Sequence, residues 1–108
     1  MRLPLIATNW SGTTEFATAA NSFPVHVESL VAVKSGAFRN HLWAQPSVSH
    51  LRAQMRAVVG DRPRALDVAR QAREDMVALY SPAALTATVK THLDRIGELI
   101  KARWEMEL

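Results

Sequence analysis

The sequence contains no cysteine among its 108 residues. Disulfide bridges and thiolate metal sites are therefore excluded, and a reducing, cytoplasmic compartment is the expected setting. No segment approaches the roughly 18 consecutive apolar residues that a membrane-spanning helix needs. We therefore expect no membrane span.

Several motifs of catalysis and phosphate binding are also missing. There is no Gly-x-Gly-x-x-Gly or Gly-Lys-Ser/Thr phosphate loop and no Gly-x-Ser-x-Gly nucleophile elbow. The four histidines show neither i, i+4 pairing nor a carboxylate at ligand spacing, and they are His26, His41, His50 and His92. We predict surface or partly buried histidines, and no catalytic residue, metal site or cofactor.

The composition is that of a globular protein. Hydrophobic residues make up 48% and charged residues 21% of the chain, which argues against disorder. The net charge is +3, but basic and acidic residues are closely interleaved in the second half. A mixed surface of this kind is typical of solvated helix faces rather than of a track for a polyanion.

The first part of the chain, residues 1–46, is predicted to be strand-rich. The apolar run at 5–7 indicates a buried strand, and the β-branched residues of 23–33 indicate one or two more. Pro24 is expected at a strand start or edge because it cannot donate to a ladder. Residues 13–20 indicate a short helix, and 34–45 indicate an irregular loop.

The second part, residues 47–108, is predicted to be helical. Three apolar stripes at helical spacing indicate three helices, the first ending at Gly60 and the last at about Trp104. The predicted N-caps are Ser47, Asp61 and Ser81. Glu98 and Lys101 are expected to form an ion pair. The fold class is therefore α/β, with two or three short strands followed by three helices in one domain at most.

A small polar loop follows the first predicted strand. In open α/β sheets, ligands bind beyond the carboxyl ends of the strands. Gly12 allows backbone to approach a ligand closely, and the nearby hydroxyls and amides suit phosphate or sugar oxygens. The loop is a candidate binding site, with an ordinary turn as the alternative.

The stretch Pro4-Leu5-Ile6-Ala7-Thr8-Asn9-Trp10-Ser11-Gly12-Thr13-Thr14-Glu15-Phe16 resembles retaining, nucleotide-sugar-dependent glycosyltransferases of the GT-B architecture. The likeness is strongest to the bacterial group that transfers mannosyl or similar units. It continues in order through Trp43-Ala44-Gln45-Pro46 and Tyr80-Ser81-Pro82. The resemblance implies the C-terminal part of a Rossmann-like, donor-binding domain.

The resemblance also implies a donor-binding loop. Ser11-Gly12 followed by Glu15 is similar to the family's Gly-Gly-x-x-Glu loop, with Ser11 in place of the first glycine. The implied donor-binding residues are Asn9, Ser11, Gly12, Thr13 and Glu15. The implied partner is a nucleotide-sugar donor.

One departure from the family concerns its paired glutamates, which lie upstream of the strand that corresponds to 5–8. This sequence has no glutamate before Glu15. We therefore expect a C-terminal portion of a hexosyltransferase that is inactive as this chain alone. Ile96, Ile100 and Trp104 are then expected to form an exposed apolar patch that favours self-association.

The alternative is a small basic helical module that binds DNA or a protein partner. Residues 51–80 fit a helix-turn-helix, in which the second helix carries Arg64, Arg70 and Arg73. Three acidic residues share that helix and would repel phosphates, namely Asp67, Glu74 and Asp75. Nucleic acid is therefore the less favoured partner.

Overall fold

A computed structural model describes residues 2–106 and shows a mixed α/β fold. The described strands are β1 (Ile6–Thr8), β2 (Phe23–Val25), β3 (Val27–Ala32) and β4 (Leu42–Pro46). A 3-10 helix spans Ser11–Glu15. The α-helices are α1 (Val48–Gly60), α2 (Arg62–Tyr80) and α3 (Pro82–Met106). The chain divides into two compact units, Met1–Glu74 and Asp75–Leu108.

Strands β1 and β2 form a parallel pair. Phe23 N donates to Leu5 O at 2.8 Å, and Asn9 N donates to Val25 O at 2.9 Å. Pro24 lies in the middle of β2, opposite Ala7. Because successive strand residues point their N–H groups to opposite sides, the proline nitrogen faces away from β1. The expected edge position of Pro24 is confirmed.

Strands β3 and β4 form an antiparallel hairpin, in which Val31 pairs with Trp43. The prediction of an irregular loop over 34–45 was therefore wrong for its last part, and the described strands number four rather than two or three. The hairpin side chains are mostly exposed, so no alternation of apolar and polar residues marked β4. Gly36 and Asn40 turn the chain with φ values of 82° and 70°.

The predicted short helix over 13–20 is instead the 3-10 helix Ser11–Glu15, followed by a turn. The turn is held by Asn21, whose Nδ2 donates to Phe16 O at 2.9 Å and whose Oδ1 accepts from Thr18 N at 2.7 Å. Side chains that bind nearby backbone groups in this way compete with helix formation.

The three predicted N-caps are confirmed. The side-chain oxygens of Ser47, Asp61 and Ser81 accept backbone N–H groups of His50 (3.3 Å), Arg64 (3.1 Å) and Ala84 (3.2 Å), respectively. The last helix ends at Met106, two residues beyond the predicted Trp104. The expected Glu98–Lys101 ion pair is present at 3.0 Å.

The core of the first unit lies where β1, β2, α1 and the start of α2 meet. Its buried apolar residues are Ala17, Phe23, Val25, Ala65 and Ala69. The buried polar residues Asn21, Ser22 and Ser47 make hydrogen bonds, as burial of polar groups requires.

The second unit contains the end of α2 and all of α3. None of the described residues from 75 to 106 is buried. Within residues 2–106, no helix combines the length and the apolar character that crossing a membrane requires.

Candidate functional site

A groove of about 290 Å³ opens at the carboxyl ends of β1 and β2. Asn9 directly follows β1, and His26 directly follows β2. Because the two strands are parallel, these residues lie at the same edge of the sheet. The described lining residues are Asn9, Ala19, Ser22, Phe23, Pro24, His26, His50, Gln54 and Arg64.

Helix α1 is fastened to the end of β2 by three hydrogen bonds. Ser47 N donates to His26 O at 2.8 Å, and His26 N donates to His50 Nδ1 at 3.0 Å. One turn further along α1, Gln54 Nε2 donates to Pro24 O at 2.7 Å. These bonds hold His50 and Gln54 on one wall of the groove.

The tautomer of His50 follows from its hydrogen bond. Nδ1 accepts the N–H of His26, so it carries no proton in this geometry. The ring proton of neutral His50 is therefore on Nε2. The ring of His50 also stacks on that of His26, with centroids 4.2 Å apart.

The charge of the groove is positive. Arg64 is exposed at the first turn of α2, and its backbone N–H is bound by the Asp61 carboxylate. No described lining residue is acidic. A guanidinium, an amide and an imidazole N–H together suit an anionic ligand with additional hydrogen-bond acceptors.

The loop after β1 is ordered by its own side chains. Thr13 Oγ1 lies 2.7 Å from Thr8 O and 2.8 Å from Trp10 O, and Thr14 Oγ1 donates to Ser11 O at 2.7 Å. Ser11 has a φ of 54°, in the left-handed region that favours glycine. A Cβ added to Gly12 would meet no atom within 4 Å.

The predicted donor-binding residues therefore divide into two groups. Asn9 lines the groove, whereas Ser11, Gly12, Thr13 and Glu15 are not among its described lining residues. Ser11, Gly12 and Glu15 are exposed in the 3-10 helix. The hydroxyl of Thr13 binds the end of β1, so its observed role is to hold the loop.

Sequence reasoning missed His26, His50 and Gln54 as lining residues. His26 and His50 are far apart in the sequence and share no motif spacing. One signal in the sequence could have pointed to His50. It lies three residues after the Ser47 N-cap, and the Ser47 side chain accepts its backbone N–H. Among the described residues, no group of three histidine or carboxylate side chains could hold a metal ion.

The helix-turn-helix alternative does not match the geometry of α1 and α2. Asp61 is the single residue between these helices, whereas the motif joins its helices by a turn of roughly three to four residues. Arg70 lies 3.2 Å from the Asp67 carboxylate and 3.7 Å from that of Glu74. This arginine is therefore already paired with acidic groups on its own helix.

In comparisons with known proteins, no family model, curated protein or solved structure matches the chain.

Proposed function

We propose that this chain is the donor-binding part of a retaining GT-B glycosyltransferase, and that its groove takes the charged end of a nucleotide-sugar. The parent reaction breaks the bond between the anomeric carbon and the diphosphate. The nucleoside diphosphate leaves with the electron pair and takes up the proton of the acceptor hydroxyl, whose oxygen forms the new bond with retained configuration.

The observation that carries the proposal is the backbone of Ser11. Its φ of 54° is unfavourable for a residue with a side chain. Ser11 stands where the family that the loop resembles has its first glycine. A backbone conformation that favours glycine at this position gives a physical reason for the family pattern, and it supports the assignment.

The groove supports the same proposal by its chemistry. Arg64 balances the negative charge of a diphosphate, and Asn9 and the Nε2–H of His50 bind its oxygens or the sugar hydroxyls. The absence of acidic side chains from the described lining removes a source of repulsion.

We assign binding, but no sugar transfer, to these 108 residues by themselves. The family's paired glutamates have no counterpart before Glu15. Transfer depends on groups positioned on both sides of the donor. The described groove supplies one such side.

The test is calorimetric titration of the 108-residue chain with uridine, guanosine and adenosine diphosphates and their hexose conjugates. We expect weak binding of at least one of them, and Arg64→Ala lowers its affinity by roughly 10- to 100-fold because a charged hydrogen-bond donor is lost. Arg73→Ala is the matched control, since it removes the same charge from the same helix outside the groove.

Two results would overturn the proposal. One is the absence of binding for every nucleotide in the panel. The other is equal loss of affinity in the Arg64 and Arg73 variants, which would show a general charge effect rather than a site.

A further inference from the structure

Helix α3 carries an exposed apolar stripe, which we call the α3 stripe. Its members are Leu85, Val89, Leu93, Ile96, Ile100 and Trp104, whose exposed fractions range from 46% to 68%. At 100° per residue, all six lie within an arc of about 100° on one side of the helix. The α3 stripe is a continuous surface about 29 Å long.

We expect the α3 stripe to pack against another apolar surface. None of the described residues from 75 to 106 is buried, so the second unit has no core of its own. The stability of helices in proteins comes mostly from packing of an amphipathic face. A contiguous apolar patch of this size typically marks an interaction site.

The spacing of the six members of the α3 stripe favours a second copy of this chain as the partner. Successive members are separated by four, four, three, four and four residues, a series that reads the same in both directions. Symmetric self-association places the same surface of each copy in contact, so a palindromic pattern matches itself. We propose that the α3 stripe binds the α3 stripe of a second copy of this chain, with the two helices antiparallel.

The two-fold axis passes at the level between residues 94 and 95. It sets Leu93 opposite Ile96 of the second copy, Val89 opposite Ile100 and Leu85 opposite Trp104. Every apolar member of the stripe therefore meets another apolar member. Next to the Leu93–Ile96 pair, His92 lies opposite Gly97 of the second copy. A Cβ added to Gly97 would meet no atom within 4 Å in its own chain, so there is open space at this position.

The charges of α3 are compatible with this contact. Asp94, Glu98 and Glu105 lie on the side of the helix opposite the α3 stripe. Arg103 lies at the edge of the stripe, at the same angle as Leu85, and its long side chain reaches water from there. Asp94 is paired with Lys90 at 2.6 Å and Glu98 with Lys101 at 3.0 Å, and both pairs are exposed. Dimer formation therefore buries no carboxylate.

The area and the repeat length also fit a pair of helices. Six side chains that each offer on the order of 100 Å² give about 1,200 Å² over two copies, the lower end of specific interfaces. The stripe repeats after 11 residues, from Leu85 to Ile96 and from Val89 to Ile100. An 11-residue repeat favours nearly straight helices with a slight right-handed twist.

The first test is sedimentation equilibrium of the 108-residue chain without any nucleotide, so its outcome is separate from that of the proposed function. We expect a monomer–dimer equilibrium that Ile96→Glu weakens by roughly 100-fold, because two carboxylates near the axis lose water. Thr91→Glu is the control, since it adds the same charge to the far side of α3. A chain that stays monomeric, or equal effects of both variants, would overturn the inference.

The second test measures orientation, and it uses the absence of native cysteine. Val89→Cys and Ile100→Cys proteins are mixed under mild oxidation. We expect a disulfide between the two different variants, whereas two Val89→Cys copies hold their thiols about 16 Å apart along the axis. Efficient cross-linking of Val89→Cys alone would indicate parallel helices, and absence of the mixed product would exclude the proposed register.

Discussion

The imidazole of His50 accepts the backbone N–H of His26 at 3.0 Å while its ring stacks on the ring of His26. One side chain thereby links the first turn of α1 to the residue that follows β2. The parallel strand pair and the first long helix meet at this link, which also forms one wall of the groove.

We predict that neutral His50 is the Nε2–H tautomer, because Nδ1 serves as the acceptor for His26. Long-range proton–nitrogen correlation spectra report the tautomer directly. His50→Ala is expected to cost about 1 kcal/mol of unfolding free energy, the value of one hydrogen bond. His41→Ala, at the exposed turn between β3 and β4, is the control, and an Nδ1–H signal from His50 would contradict the prediction.

Ser11→Gly is expected to stabilise the chain. Glycine removes the steric cost of the left-handed conformation, which amounts to roughly 1 kcal/mol, although part of this gain is lost to the greater freedom of glycine in the unfolded chain. Urea unfolding measures the change. Ser11→Val should destabilise at the same position, and an order of stability reversed between these two variants would refute the assigned backbone conformation.

Gly12→Val separates stability from ligand binding. The added side chain meets no protein atom at Cβ, so the unfolding midpoint should change little. If the loop contacts the donor, the same side chain occupies the space of the ligand and lowers nucleotide-sugar affinity. Titration of the folded variant with the nucleotide-sugar measures this affinity. An unchanged affinity would show that the loop is not part of the binding site.

Ser47→Ala tests the N-cap that lies between β4 and α1. Ser47 is buried, and its Oγ accepts His50 N and contacts Ser49 Oγ at 2.9 Å. Loss of an N-cap of this kind costs about 1 kcal/mol. Ser49→Ala keeps the cap and should cost less. Equal unfolding midpoints for the two variants would argue against a dominant role of the cap.

The helices of residues 47–108 could be predicted from the sequence because local signals specify them. Ser47, Asp61 and Ser81 each bind a backbone N–H three residues ahead, so cap and helix start coincide in the sequence. Apolar spacing then set the helix lengths. The three helices and their caps could therefore be predicted without knowledge of tertiary contacts.

The strand half and the groove depended on contacts between distant residues. β4 pairs with β3 across a loop, and its exposed side chains gave no alternating pattern. His26 and His50 meet only because Ser47 N binds His26 O and places the helix beside the strand. No motif of fixed spacing encodes such a meeting. Asn9 was predicted as part of the loop that follows the first strand, and it lines the groove.

Pro24 determines at which edge the small parallel sheet can accept a further strand. On the side of β2 that faces away from β1, Pro24 offers no N–H, and its carbonyl oxygen is already occupied by Gln54 Nε2 at 2.7 Å. A strand approaching from that side would find no N–H donor at this residue and a carbonyl oxygen that already accepts one hydrogen bond. β1 pairs with β2 alone among the described strands. Any strand that extends this sheet is therefore directed to β1, and β2 is a built-in terminus that protects the sheet from edge-to-edge aggregation on that side.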